Sequence, residues 1–174
     1  MSEHIKVLLS EEDVQKRVRE LGEQISKEYA GEEVLLIGIL KGASFFTCDL
    51  AKRISIPVSL DFMSVSSYQG TSSTGVVKIM KDLDGSIEGK NVIVVEDIVD
   101  TGRTLSYLLD ELSGRNPKSL KLCALLDKPE RRVTDIQADY TGFDIPDQFV
   151  VGFGLDYDQK YRNLPYIGIV EFDN

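Results

Sequence analysis

The chain has 174 residues, 42% of them hydrophobic and 28% charged, and its formal net charge is -9 at pH 7. A chain of this length can bury a substantial core, so residues 1–174 are predicted to form a single domain. The acidic charge argues against a broad surface for nucleic acid or anionic membranes, and no apolar run is long enough to span a bilayer.

The first six residues lack the basic-then-apolar order of a secretory signal, so a cytoplasmic protein is predicted. Hydrophobic periodicity then predicts helices over residues 11–29, 44–53 and 104–112. It predicts strands over residues 33–40, 58–65, 75–83, 92–96 and 120–126, with short strands near 140 and over 149–151 completing the sheet. This alternation is typical of an α/β fold in which helices flank a central, mainly parallel sheet.

Both cysteines, Cys48 and Cys123, lie in apolar contexts. We therefore predict two reduced thiols in the core rather than a disulfide or a metal pair.

The most specific motif follows the strand over residues 92–96. That strand ends on Glu96 and Asp97, and a short loop then leads into the helix that begins near Thr104. In open α/β sheets, ligands bind at the carboxyl ends of the strands, which is where this loop falls. Carboxylates accept hydrogen bonds from sugar hydroxyls and bind Mg²⁺ through oxygen, so the acidic pair predicts a ribose or a metal ion.

The rest of the loop is suited to an anion. Gly102 allows successive backbone N–H groups to converge, and Thr101 and Thr104 add hydroxyl donors near a helix N-terminus. A phosphate on one side and carboxylates on the other together predict a ribose phosphate as ligand.

This segment resembles the phosphoribosyl-diphosphate-binding motif of the type I phosphoribosyltransferases. From about residue 5 to 172 the chain also resembles the 6-oxopurine members of that family, the hypoxanthine-guanine phosphoribosyltransferases. Four further segments contribute to the resemblance: Leu40-Lys41-Gly42 as a diphosphate loop, Ser67-Tyr68 at the start of a lid over 66–75, Lys128 after Ala124-Leu-Leu-Asp, and the purine-binding segment from Phe149 to Asp156.

The resemblance implies a core over about residues 10–150 and a small hood formed by residues 1–9 and 150–174. It also implies transfer of the 5-phosphoribosyl group from 5-phosphoribosyl 1-diphosphate to N9 of hypoxanthine or guanine, with Mg²⁺, giving IMP or GMP and pyrophosphate. A homodimer or homotetramer is implied as well, with small-molecule substrates and no nucleic-acid or membrane partner.

Roles for individual residues follow from the same resemblance. Asp100 is expected to take the proton at purine N7. The phosphoribosyl diphosphate is expected to contact Lys41, Gly42, Glu96, Asp97, Asp100, Thr101, Gly102, Arg103, Thr104 and Arg162. Mg²⁺ is expected near Glu96, Asp97 and Asp156, the purine near Lys128, Phe149, Val150 and Asp156, and the lid over the diphosphate at Ser67 and Tyr68. Members of the family often have Lys where this chain has Arg103, and the backbone grip on phosphate should tolerate that exchange.

Simpler interpretations exist for several of these residues. Asp100 could be a carboxylate that caps backbone donors, Phe149 a core aromatic, and Lys128 an exposed turn residue. Arg131 and Arg132 are interpreted as a solvated basic pair or a subunit contact. The sole histidine, His4, is expected at a mobile terminus and is a poor candidate for catalysis.

Other functions would require different features of the sequence. A regulator that binds RNA would need a basic face, which an acidic chain does not favour. A phosphohydrolase with an aspartate nucleophile would need two aspartates separated by one residue, whereas two residues separate Asp97 from Asp100. A transferase for another base, such as xanthine, adenine or a pyrimidine, is a further alternative. Adenine lacks the 6-oxo acceptor that Lys128 would contact, so that variant conflicts with the role expected for Lys128.

Overall fold

The computed structural model describes residues 2–67 and 77–173, which form two β-sheets and three α-helices. The helices are α1 (Glu11–Glu28), α2 (Ser44–Ala51) and α3 (Arg103–Ser113), and a short 3-10 turn spans Pro129–Arg131. The strands are β1 (Glu3–Leu9), β2 (Val34–Ile39), β3 (Val58–Ser67), β4 (Val77–Lys81), β5 (Asn91–Val99), β6 (Ser119–Asp127), β7 (Tyr140–Asp144), β8 (Val150–Val151) and β9 (Ile167–Phe172).

The larger sheet has six strands in the order β4-β3-β2-β5-β6-β7 in the described part of the chain. All neighbouring pairs are parallel except β3 and β4. Leu36 of β2 packs in one core cluster with Phe46 of α2, whereas the next residue, Ile37, packs with Leu108 of α3. Helices therefore cover both faces of the sheet, and the predicted α/β fold with a mainly parallel sheet is confirmed.

The smaller sheet, which we call the hood, has the order β1-β9-β8 and is antiparallel. The predicted pairing of the two chain ends is thus confirmed. The prediction that residues 149–151 complete the central sheet is wrong, because Val150 pairs with Ile169 of β9. Two buried valines fit either sheet, and local periodicity does not specify which strand lies beside them. His4 lies within β1, and its Nε2 lies 2.9 Å from Oε2 of Glu171 in β9. The expectation of a mobile terminus at His4 is therefore wrong.

The helices follow the sequence pattern closely. The hydroxyl of Ser10 accepts a hydrogen bond from the Asp13 backbone N–H at 3.1 Å, as expected of an N-cap. Leu105, Leu108 and Leu112 are buried on one face of α3. No helix within the described ranges combines the length and apolar character needed to cross a bilayer.

Strand β5 is longer than predicted. It continues past Glu96 through Asp97 to Val99, because β6 beside it keeps pairing as far as Val99 with Asp127. The acidic pair therefore belongs to a strand held in a sheet, which fixes its backbone more firmly than a loop would.

The two cysteines have different surroundings. Both are free, as predicted, and Cys123 is buried in β6. Cys48 is exposed, so its placement in the core was wrong. On α2 it is the neighbouring residues, Phe46, Thr47 and Leu50, that are buried.

Candidate active site

Three strand ends bring the candidate residues together. Strands β2, β5 and β6 are parallel neighbours, so the loops that leave their carboxyl ends lie on the same edge of the sheet. Those loops begin with residues 40–42, 100–102 and 128–131 respectively. This is the edge at which open α/β sheets bind ligands.

The turn after β5 requires a glycine at its centre. Gly102 has φ +88°, and a Cβ there would lie 2.3 Å from the Thr134 hydroxyl, so both conformation and space require glycine. Helix α3 begins at the next residue, Arg103. A cavity of about 130 Å³ opens at this turn, with room for a group larger than a water molecule. Its lining includes Glu96, Asp100, Thr101, Gly102 and Thr104.

The acidic pair lies beside this cavity. Burial raises the pKa of the Glu96 carboxyl well above its usual value, and the neighbouring Asp97 raises it further. Burial also raises the pKa of Asp97. Two carboxylates that are costly to ionise together form a set of oxygen donors suited to a hard cation such as Mg²⁺. In the described part of the chain, no group of three or more His, Cys, Asp or Glu side chains comes together as a metal site.

The loop after β2 packs closely between β5 and the segment that follows β8. Lys41 is exposed, and the Leu40–Lys41 peptide bond is cis. A Cβ on Gly154, whose φ is +102°, would lie 2.1 Å from the carbonyl oxygen of Gly42. Gly42 in turn approaches the Asp97 carboxylate. The predicted diphosphate loop is therefore in direct contact with the acidic pair.

Asp156 and Arg162 lie together beyond β8. Nη2 of Arg162 lies 3.4 Å from Oδ1 of Asp156, and Nη1 donates to the Gly154 carbonyl oxygen at 2.7 Å. Oδ2 of Asp156 accepts from the Gln159 backbone N–H at 2.9 Å. Asp156 is thus already paired with a cation and does not join Glu96 and Asp97 in a three-carboxylate group.

The residues predicted to contact the purine lie after the end of β6 and at β8. Lys128 is only 8% exposed, so it is not an ordinary turn residue, and its Nζ lies 3.5 Å from Oδ1 of Asp147. Phe149 is 55% exposed and is therefore not a core aromatic; its ring makes an edge contact with Tyr157 at 5.6 Å between centroids. Val150 is buried in β8, which leaves its backbone as the group that could reach a ligand.

The lid prediction is only partly covered. Ser67 is the last residue of β3 and pairs with Val77 of β4. Tyr68 and most of the predicted lid lie outside the described residues.

The exposure predicted for Arg131 is confirmed, whereas Arg132 is only partly exposed, and both side chains contact Asp100. Nε of Arg131 donates to Oδ1 of Asp100 at 2.7 Å. Nε of Arg132 donates to the Asp100 carbonyl oxygen at 3.2 Å, and its guanidinium also contacts Asp127 and the Ile136 carbonyl oxygen. Their position three and four residues after Lys128, beyond the end of the strand beside β5, was the signal that could have placed them in the site.

Several known proteins are similar to this chain. Residues 4–158 match the family model described as the phosphoribosyl transferase domain. A hypoxanthine-guanine phosphoribosyltransferase of Bacillus subtilis is 54% identical over 167 residues, which cover 95% of this chain and 93% of the relative. The bifunctional protein TilS/HprT of Listeria monocytogenes is 56% identical over 167 residues, 95% of this chain and 26% of that protein, so the chain spans about a quarter of its length. A crystal structure of a hypoxanthine-guanine phosphoribosyltransferase from Bacillus anthracis superposes with a TM-score of 0.92 at 50% identity, covering 98% of this chain and 100% of the other.

Proposed function

The chain belongs to the phosphoribosyl transferase family, and we propose that it transfers the 5-phosphoribosyl group of 5-phosphoribosyl 1-diphosphate to N9 of hypoxanthine or guanine. The products are IMP or GMP and pyrophosphate, as in purine salvage. The proposal depends on one observation above all, the convergence of three features at one edge of the sheet. These are a cavity at a helix N-terminus, two carboxylates that need a cation, and a buried lysine.

The sugar donor fits the half of the site formed by β5 and its turn. Its 5′-phosphate occupies the cavity at the turn of residues 100–104, where backbone N–H groups and the Thr101 and Thr104 hydroxyls donate to it. Glu96 and Asp97 accept hydrogen bonds from the ribose hydroxyls. When bound, Mg²⁺ supplies the positive charge that allows both carboxylates to ionise and that offsets the charge on the diphosphate.

The diphosphate leaves towards the hood. The diphosphate is assigned to three groups: Lys41, the Gly42 backbone N–H and Arg162. The Gly154 carbonyl oxygen holds Arg162 in place by accepting a hydrogen bond from it. Their donors match the oxygens of pyrophosphate, and they act most strongly on the charge that develops as the C1′–O bond breaks. The lid, which begins at Ser67 and Tyr68, is expected to keep water away from the oxocarbenium-like sugar.

The purine is bound on the side of β6 and β8. Lys128 donates to the 6-oxo oxygen, Phe149 packs against the ring, and the backbones of Val150 and Asp156 contact its other edge. Asp100 takes the proton from N7, which leaves the electron pair that makes N9 a better nucleophile. The availability of Oδ2 supports this role, since that atom accepts no hydrogen bond from residues 2–67 or 77–173.

The test is an assay of pyrophosphate release with 5-phosphoribosyl 1-diphosphate and hypoxanthine, guanine, xanthine or adenine, each with and without Mg²⁺. We expect turnover with the first two, none with adenine, and loss of turnover when the metal is chelated. The Asp100→Asn variant should lose about 10²-fold or more in kcat and still bind the sugar donor in calorimetry. Asp110→Asn, a matched change on the exposed surface of α3, should retain full activity. Absence of pyrophosphate release with every base would refute the proposal.

The proposal extends to the setting of the enzyme. We propose that the protein is cytoplasmic, and the resemblance implies that it forms a homodimer or homotetramer and acts on small molecules. Sedimentation of the purified protein and fractionation of cells that produce it would test the oligomer and the location separately.

A further inference from the structure

The carboxylate of Asp100 is held at one of its two oxygens. Nε of Arg131 donates to Oδ1 at 2.7 Å, and the two side chains are 46% and 45% exposed. An ion pair this exposed contributes little to the stability of a protein. Its geometry therefore calls for an explanation other than folding.

Backbone contacts, and not this ion pair, hold the two turns together. The Lys128 N–H donates to the Val99 carbonyl oxygen at 2.9 Å, and the Val133 N–H donates to the Thr101 carbonyl oxygen at 3.0 Å. The Arg132 side chain adds its bond to the Asp100 carbonyl oxygen. Removing the Arg131 guanidinium should therefore leave the backbone around Asp100 in place and change only the freedom of the carboxylate to rotate.

The guanidinium of Arg131 also faces a second carboxylate. Its Nη1 lies 3.6 Å from Oδ2 of Asp147, whose other oxygen lies 3.5 Å from Nζ of Lys128. A chain of alternating charges thus runs from Asp100 through Arg131 and Asp147 to Lys128. This chain connects the group assigned to purine N7 with the group assigned to the 6-oxo oxygen.

We propose that Arg131 is a positioning residue that acts through Asp100, holding Oδ1 so that Oδ2 is presented to the purine. This inference rests on the proposed function. In the step it serves, the proton moves from N7 to Oδ2, the N9–C1′ bond forms, and the bond from C1′ to the diphosphate oxygen breaks. Asp147, which the guanidinium also faces, keeps Arg131 paired with a carboxylate after Asp100 has received the proton.

The first test compares Arg131→Gln with wild type in steady-state kinetics with hypoxanthine. We expect kcat to fall by about tenfold to a hundredfold, the scale of loss that misplacing a reacting group produces. The KM for 5-phosphoribosyl 1-diphosphate should stay within about twofold, since uniform binding of that substrate is unchanged. Arg131→Lys, which keeps one donor, should recover part of kcat. Arg19→Gln removes the same charge from the exposed face of α1 and should behave as wild type.

The second test is a double-mutant cycle with Asp100→Asn. If Arg131 acts through Asp100, Arg131→Gln has no further effect on kcat in the Asp100→Asn background. An equal loss in both backgrounds would overturn the inference, as would a raised KM for the sugar donor with unchanged kcat. A wild-type rate in Arg131→Gln would overturn this inference alone, whereas an inactive wild-type protein would overturn the proposed function with it.

Discussion

Oδ2 of Asp97 lies 1.9 Å from the point at which a Cβ on residue 42 would stand. Glycine is therefore the residue that allows the loop after β2 to approach the acidic pair on β5. Any side chain at this position would have to displace either the loop or the carboxylate. The contact joins the residues assigned to the diphosphate with those assigned to the ribose.

Gly42→Ala should accordingly weaken binding of 5-phosphoribosyl 1-diphosphate. A methyl group forced into this contact typically costs about 1–3 kcal/mol of stability when the structure is well packed. We expect a higher dissociation constant for the sugar donor in calorimetry and a lower midpoint in urea unfolding. Gly85→Ala is the matched control, because nothing lies within 4 Å of a Cβ there. Equal affinity in the two variants would show that the loop adapts without cost.

Glu96→Gln should stabilise the fold at neutral pH while removing activity. The pKa of Glu96 is raised by burial, so the folded state holds its proton at pH values where the unfolded chain, with a pKa of 4.5, has released it. Stability therefore falls as pH rises from that value through the raised pKa. Glutamine carries no charge at any pH, so the variant does not lose stability in this way.

Urea unfolding at pH 4 and pH 8 measures the difference in unfolding free energy between Glu96→Gln and wild type. The gain in unfolding free energy of Glu96→Gln over wild type should be larger at pH 8. Addition of Mg²⁺ should reduce this gain by stabilising wild type more than the variant, which keeps Asp97 alone of the acidic pair. Glu88→Gln makes the same change on an exposed side chain and serves as control. An advantage that is the same at both pH values would contradict the burial of this carboxylate.

The sequence predicted those parts of the site that depend on local order. The motif over residues 92–105 specified a strand, a glycine turn and a helix, and Gly102 adopts the positive φ that the turn requires. Helix α1 and its N-cap at Ser10 could likewise be predicted from the sequence, because they depend on neighbours within a few residues.

The features that were missed arise from contacts between distant segments. Strand β5 extends past Glu96 because β6 continues beside it, and β8 joins the hood because β9 lies there. Arg131 meets Asp100 only because the ends of β5 and β6 are neighbours. A single sequence shows the charge of such a residue but not the strand end that it faces.

Lys128→Met should weaken purine binding selectively. Its ammonium group is nearly buried, and a hydrogen bond from a charged donor contributes about 1.5–3 kcal/mol, or roughly tenfold to a hundredfold in affinity. We expect the KM for hypoxanthine to rise on that scale while the KM for the sugar donor is unchanged. Lys118→Met, at the opposite edge of the sheet, is the control. An unchanged KM for hypoxanthine would remove Lys128 from the purine site.

The turn between Asp156 and Arg162 is held in an unusual conformation. Asp158, Gln159 and Tyr161 all have positive φ, at 52°, 64° and 79°. Residues other than glycine rarely adopt this conformation unless their surroundings impose it. The turn therefore needs an external contact to keep its shape.

Glu3 of β1 provides that contact, since its Oε1 accepts from Nζ of Lys160 at 2.6 Å and from the Tyr161 hydroxyl at 2.7 Å. Glu3→Gln should loosen the turn and, through Asp156 and Arg162, raise the KM for 5-phosphoribosyl 1-diphosphate a few-fold. The KM for hypoxanthine should change less, because Lys128 pairs with Asp147, which lies outside this turn. Glu171→Gln, which changes the carboxylate that contacts His4 in the same hood, is the control. If both variants raised that KM equally, the effect would belong to the hood as a whole and not to Glu3.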